Sequence, residues 1–172
     1  IVSALVPYKR VDLAVRAFNN TDRKLLIVGK GQELKQLKKI ASTNISFIEN
    51  ADDNEVAEYM SRCRALIFPG EEDFGIVPLE AQACGKPVIA FGKGGALETV
   101  IPLDKVRDKT DATGVFFYNQ SPESLHQAVK EFEKARRYFN PDKCRANAMK
   151  FDRPLYKSAM KNYVDKVIQN NL

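Results

Sequence analysis

Short apolar runs alternate with longer amphipathic stretches along most of the chain. The runs are IVSALV (1–6), KLLIVG (24–29), ISFIE (45–49), ALIFPG (65–70), PVIAF (87–91) and GVFFY (114–118). Each precedes a segment that predicts a helix, near 11–19, 31–41, 52–62, 75–84, 95–100 and 122–134. Strands apolar throughout lack the alternation of a sheet wetted on one face, so they read as parallel strands covered by helices on both sides. The pattern predicts an α/β fold with a doubly wound parallel sheet. Asp52 or Asp53 can cap the helix carrying Val56 and Met60, and Ser121-Pro122-Glu123 can cap the one carrying Leu125 and Val129. After Pro141 no strand is predicted. Two helical stretches, about 141–150 and 154–170 with a break at Pro154, should form a tail that crosses a sheet edge or reaches a partner domain.

Composition narrows this reading. The chain has 172 residues, 44% hydrophobic and 28% charged, which fits one packed domain spanning 1–172 and excludes a disordered or fibrous chain. Cys63, Cys84 and Cys144 are odd in number and widely spaced, which fits free thiols in a cytoplasmic, reducing compartment. The net charge of +5 permits phosphate, nucleic-acid or membrane partners. The bases are interleaved with acids on predicted helix faces, so solvated surfaces are expected and nucleic acid is not. No apolar run reaches the roughly 20 residues that span a bilayer. IVSALV reads as a buried strand at the very start, so the chain is expected to be a fragment of a longer protein.

In open parallel sheets, ligands bind where strands end and helices begin. That rule selects five loops: Pro7–Arg10, Gly29–Gln32, Glu49–Asp53, Gly70–Ile76 and Gly92–Ala96. Lys9 and Arg10 are cations where a diphosphate would need them, or else two solvated bases in a turn. Backbone N–H groups at Phe74, Gly75 and Ile76 would form a helix start suited to a phosphate or sugar hydroxyl. Glu72 lies at that mouth, and Glu80 about two turns into the helix beside Ala81, Ala83 and Gly85. Glu80 is placed to accept both hydroxyls of a ribose, although alone each acid could be an ordinary surface residue. Gly94 and Gly95 could bring further N–H groups to a phosphate. Gly31 would permit close backbone approach, but Leu34 interrupts a dinucleotide fingerprint. Glu71 and Asp73 have no evident role. The sole histidine, His126, falls in a helix away from these loops, and no metal site is expected.

The segments VPYKRVDLAVRAF, EEDFGIVPLEAQACGKPVIA and GKGGALETV, with Glu72 and Glu80 eight residues apart, resemble the C-terminal, nucleotide-sugar-binding domain of retaining glycosyltransferases of family 4. These have the GT-B fold, with Rossmann-like halves. The wording is most similar to bacterial and archaeal mannosyltransferases of polysaccharide synthesis. The resemblance implies a donor, with GDP-mannose expected, and no cofactor or essential metal. It gives Glu72 the sugar hydroxyls and Lys9 the diphosphate as the catalytic pair, Glu80 the ribose, and Phe74, Gly75 and Ile76 the sugar and phosphate. Gly31 matches the glycine-rich turn after the second strand. One departure stands out: the family usually carries arginine five residues before Lys9, and here that position is Ala4. Arg10 could compensate in part.

The resemblance further implies that an N-terminal acceptor domain, absent from this chain, supplies a glycan or lipid-linked acceptor site. The chain alone is then expected to be inactive, and the whole protein to work at the inner face of a membrane by peripheral association. Two other readings stay open, a noncatalytic nucleotide-binding module of the same fold and a GT-B nucleotide-sugar epimerase.

Overall fold

The computed structural model describes residues 1–170, so residues 171–172 of the predicted domain span lie outside the described residues. Among the described residues five strands form: β1 Leu25–Val28, β2 Ile45–Ile48, β3 Leu66–Phe68, β4 Val88–Phe91 and β5 Gly114–Phe117. They alternate with helices α1 Val11–Phe18, α2 Leu34–Ile40, α3 Asp53–Arg62, α4 Ile76–Ala83, α5 Ala96–Thr99 and α6 Pro122–Ala135. The tail is α7 Pro141–Met149 and α8 Arg153–Asn170; it divides at residues 150–152, and Pro154 falls in the first turn of α8, where a proline is tolerated, rather than in the break.

All strand pairs are parallel. β1 pairs with β2, and β3, β4 and β5 follow one another in a second sheet. The predicted first strand is reduced to an extended segment with a single bridge, Val2 to Val28. Ser3 and Leu5 donate N–H groups to the Val28 and Lys30 carbonyls at 3.0 and 2.9 Å. No backbone hydrogen bond joins this segment to β3 among the described residues, which is why the sheet divides in two.

Alternate residues of the central strands enter two separate cores, as a sheet covered on both faces requires. Ile67, Ile89, Phe91, Val115 and Phe117 pack on one face with Leu13, Leu37 and Leu125 from α1, α2 and α6. Leu66, Phe68, Val88, Ala90 and Phe116 pack on the other with Met60, Ala81 and Ala96 from α3, α4 and α5.

The caps form as the sequence implies. Of the two candidates at α3, Asp52 is the cap, in a reciprocal box with Glu55. Ser121 accepts from the Ser124 N–H at the start of α6. The ring of His126 lies 3.3 Å from the Ala17 carbonyl and joins α6 to α1.

Arg23, just before β1, clamps Glu133 of α6 through two hydrogen bonds of 2.8 and 2.6 Å. Hydrogen bonds from Arg23, then its charge, hold the Glu133 carboxyl below the ordinary 4.5. A carboxylate depressed in the folded state stabilises the fold above its unfolded value, and that stabilisation disappears as pH falls through the folded value. Glu133 is 39% exposed, so solvent limits the pair to about 1 kcal/mol at most, or about 2–4 °C in Tm. Thermal melts of Glu133→Gln should therefore show a small Tm loss at neutral pH that closes below the ordinary carboxylate value. A gap that persists into acid would mean the clamp is not its source.

The tail divides in its packing. α7 rests on α4, with Cys144 and Asn147 buried, whereas α8 is exposed over residues 153–169 with Tyr156, Met160 and Tyr163 outward. No helix among the described residues is long and apolar enough to cross a membrane.

Candidate functional site

The turn before α1 sets the first side chain. Pro7 begins a single 3-10 turn over Pro7–Lys9, closed by N–H groups of Lys9 and Arg10 on the Val6 and Pro7 carbonyls, both at 3.1 Å. Arg10 then takes a left-handed conformation with φ 52°, a strain that a branch-free β-carbon tolerates better than a β-branched one. The chain reverses there into α1. Gly70, at the end of β3, sits against this turn: a β-carbon there would lie 3.0 Å from both the Lys9 α-carbon and the Tyr8 carbonyl. Absence of a side chain at Gly70 lets the two loops touch.

This approach brings Lys9 to Glu72. Their ammonium and carboxylate meet at 2.5 Å, with the side chains 16% and 21% exposed. The ammonium also lies 5.0 Å from the centre of the Tyr8 ring. A charge-assisted pair so shielded from water is stronger than one on an open surface, and each partner depends on the other for charge compensation.

The glycine loop after β4 closes on the other side of Glu72. The Gly95 N–H donates to the Glu72 carbonyl at 2.7 Å, and side chains at Gly94 or Gly95 would collide with the backbone of Glu72 or Phe74. Phe74 and Ile76 are exposed, while Gly75 is buried with φ 77° as the residue before α4. Glu80 is exposed on α4 and makes no side-chain hydrogen bond or ion pair among the described residues. Gly31 abuts the Leu5 backbone. Of the two acids without a predicted role, Glu71 faces Lys93 at 3.8 Å between exposed groups, and Asp73 is exposed.

Arg10 stands apart from the pair. Its guanidinium donates to Gln120 at 3.2 Å and Asp12 at 3.3 Å, and Gln120 donates in turn to the Pro69 carbonyl at 3.2 Å. A groove of about 710 Å³ runs along the strand ends, lined by Ser3, Ala4, Gly29, Lys30, Asn50 and Val77 among others. The cation sharing this groove with Ala4 is thus Lys30; Arg10 does not line it. Neither this groove nor a second one of about 510 Å³ between β5 and α6 is lined by any of the predicted site residues, Lys9 and Glu72 included.

Several residues around the site carry no local signal in the sequence. Gln120 and Asn147 are ordinary polar residues whose partners lie 110 and 65 positions away. Glu33, at the start of α2, donates its N–H to Leu5 and buries one carboxylate oxygen without a hydrogen bond. Among the described residues no cluster of His, Cys, Asp and Glu is arranged to hold a metal ion.

Parallel strands, helices on both faces and glycine-lined loops at the strand ends define an α/β unit with the fold of GT-B glycosyltransferases. The chain belongs to the glycosyl transferases group 1 family, whose profile matches residues 1–151. It is 38% identical over 105 residues to an uncharacterized glycosyltransferase of Methanocaldococcus jannaschii, a match covering 58% of this chain and 30% of that protein. It is 36% identical over 116 residues to the GDP-mannose-dependent monoacylated alpha-(1-6)-phosphatidylinositol monomannoside mannosyltransferase of Corynebacterium glutamicum, again covering 58% of this chain and 30% of that protein. Sucrose-phosphate synthase from Thermosynechococcus elongatus superimposes with a TM-score of 0.80 at 22% identity, over 98% of this chain and 45% of that one, which establishes the shared fold. The chain thus spans about a third of the length of these curated relatives.

Proposed function

We propose that the chain is the donor-binding half of a retaining hexosyltransferase that moves mannose from GDP-mannose to a glycan or glycolipid acceptor. The observation that carries this reading is the Lys9–Glu72 pair, held at the strand ends by Gly70 and Gly95. Breaking a glycosyl–phosphate bond leaves negative charge on the diphosphate and positive character on the sugar carbon. Lys9 compensates the first charge, and Glu72 accepts hydrogen bonds from the sugar hydroxyls. The exposed, unpartnered carboxylate of Glu80 grips the ribose. Phe74, Gly75, Ile76, Gly94 and Gly95 line the phosphate and sugar, and Gly31, packed on the Leu5 backbone, sets the turn after β1 beside the donor. The mannosyl donor is supported by the Corynebacterium relative, which is named for GDP-mannose. An acceptor domain elsewhere in the whole protein completes the crevice at the cytoplasmic face of a membrane, so the chain alone turns over little.

Calorimetric titration of the chain with GDP, UDP and their sugars tests the reading. GDP and GDP-mannose are expected to bind more tightly than the uridine pair. No heat and no NMR perturbation from any of them at millimolar concentration would end it.

A second reading, a nucleotide-binding module without transfer, is favoured by one observation: Ala4 is exposed in the groove where the family usually has arginine. Lys30 on the same groove is the candidate replacement cation. Transfer assays of the whole protein separate the two, because a module without chemistry gives no mannosyl transfer with or without Ala4→Arg.

A further inference from the structure

The tail helix α7 is tied to both loops of the candidate site by contacts that neither donor chemistry nor the sheet requires. Asn147, 4% exposed, donates through its side-chain amide to the Gln82 side-chain oxygen at 2.8 Å and to the Thr99 carbonyl at 2.9 Å. Gln82, fully buried on α4, donates to the same Thr99 carbonyl at 2.8 Å. The Thr99 hydroxyl donates to the Gly95 carbonyl at 3.0 Å, and the Gly95 N–H holds the Glu72 carbonyl. A second tie starts just past the end of α7. Phe151 meets Phe74 edge to face, with ring centres 5.8 Å apart and planes at 64°.

Three buried polar side chains cost more in desolvation than apolar ones of equal size, unless every group is satisfied in one arrangement. Here the hydrogen bonds run from α7 through Gln82 and Thr99 to the Gly95 carbonyl, so a shift of α7 strips the buried Gln82 side-chain oxygen of its donor and leaves the Thr99 carbonyl with one donor in place of two. The aromatic contact constrains the loop carrying Glu72 from the other side. One tie therefore reaches the Gly95 loop and the other the Glu72 loop.

We infer that α7 with Phe151 is a strut that sets the distance between the Glu72 loop and the Gly95 loop, and that Asn147 and Phe151 are positioning residues for donor binding. Neither side chain needs to touch the donor. The inference rests on the donor-site reading above. It also gives the tail a task in the site, beyond packing on α4.

The test compares Asn147→Ala and Phe151→Ala with Phe151→Tyr and with Val129→Ala. Val129 is buried in the core on the opposite face of the sheet and serves as a purely structural control. GDP affinity is measured by calorimetry well below each variant's Tm, and the amide signals of Gly95 and Glu72 are followed by heteronuclear NMR. Asn147→Ala and Phe151→Ala are each expected to weaken GDP binding roughly 2- to 30-fold and to shift both amide signals. Phe151→Tyr should retain affinity, and Val129→Ala should lose stability only. Wild-type affinity in both alanine variants, or an equal loss in Val129→Ala, overturns the strut. Failure of the unaltered chain to bind GDP or UDP overturns the donor-site reading instead. The amide signals then decide the strut alone: unmoved signals overturn it and shifted ones sustain it.

Discussion

Lys9→Met is expected to weaken GDP binding about 30- to 1,000-fold, equivalent to about 2–4 kcal/mol, while Glu72→Gln leaves it unchanged or tightens it severalfold. The opposite signs follow from the pairing. In the free chain the Lys9 ammonium is neutralised by Glu72 at 2.5 Å in a partly shielded position. Removing the ammonium deletes the cation available to a diphosphate and leaves the Glu72 carboxylate uncompensated beside it. Replacing the carboxylate with an amide keeps a polar group of the same shape and frees the ammonium for the nucleotide. The cost of losing Glu72 falls on the sugar, so Glu72→Gln in the whole protein should lower transfer even where GDP binds well. Because the attraction is partly screened, the loss in Lys9→Met should shrink as salt is raised. Calorimetry of both variants at two salt concentrations measures this, and unchanged GDP affinity in Lys9→Met would remove the diphosphate from this pair.

The second large effect is on the fold of the site. Gly95→Ala should cost about 3 kcal/mol and lower Tm by roughly 6–12 °C, with loss of GDP binding in the remaining folded population. The added methyl group would run into the Phe74 backbone, which cannot step aside without breaking the hydrogen bond from Gly95 to Glu72. Gly92→Ala is the informative companion. Its new methyl group would meet the Tyr118 ring at 2.8 Å, but that ring is 52% exposed and held by one hydrogen bond to Asp104 at 2.9 Å and an edge contact with Phe116, ties that a side chain gives up more cheaply than a backbone moves. Its expected cost is about 1 kcal/mol, the net loss of one partly exposed hydrogen bond. Melting curves of the two variants separate a backbone collision from one a side chain can relieve, and equal Tm losses would contradict the close packing of the two loops.

The elements themselves were legible because helix and strand periods are local. Each interior strand is a short apolar run bounded by a turn residue, and the caps at Asp52 and Ser121 carry their own signatures. The first segment was the exception. IVSALV has the composition of a core strand, but pairing depends on what stands on each side, and among the described residues only β1 and the turn after it bond to this segment from elsewhere in the chain, through a single bridge and a few hydrogen bonds. Local composition also says nothing of where α8 packs, since an apolar stripe reads alike whether covered or exposed.

The candidate site was half legible. The strand-end rule and the family resemblance identify Lys9 and Glu72 separately, because loops after parallel strands are where ligands bind. Their direct pairing was not legible, and neither was the diversion of Arg10 to Gln120 and Asp12. Arg10 and Lys9 are adjacent bases with the same local context. What distinguishes them is a left-handed turn and a glutamine 110 residues away.

By itself, the sequence determined the order of strands and helices, the two-faced burial and the loops that can meet a ligand, since these follow from periodicity, capping and turn chemistry within a few residues. Only the tertiary structure decided which charged groups meet, that the groove beside Ala4 holds Lys30, and that α7 is bonded to α4 and to the end of α5. Those outcomes depend on distances between segments remote in sequence, and on buried polar groups that must find partners wherever the packed chain brings them.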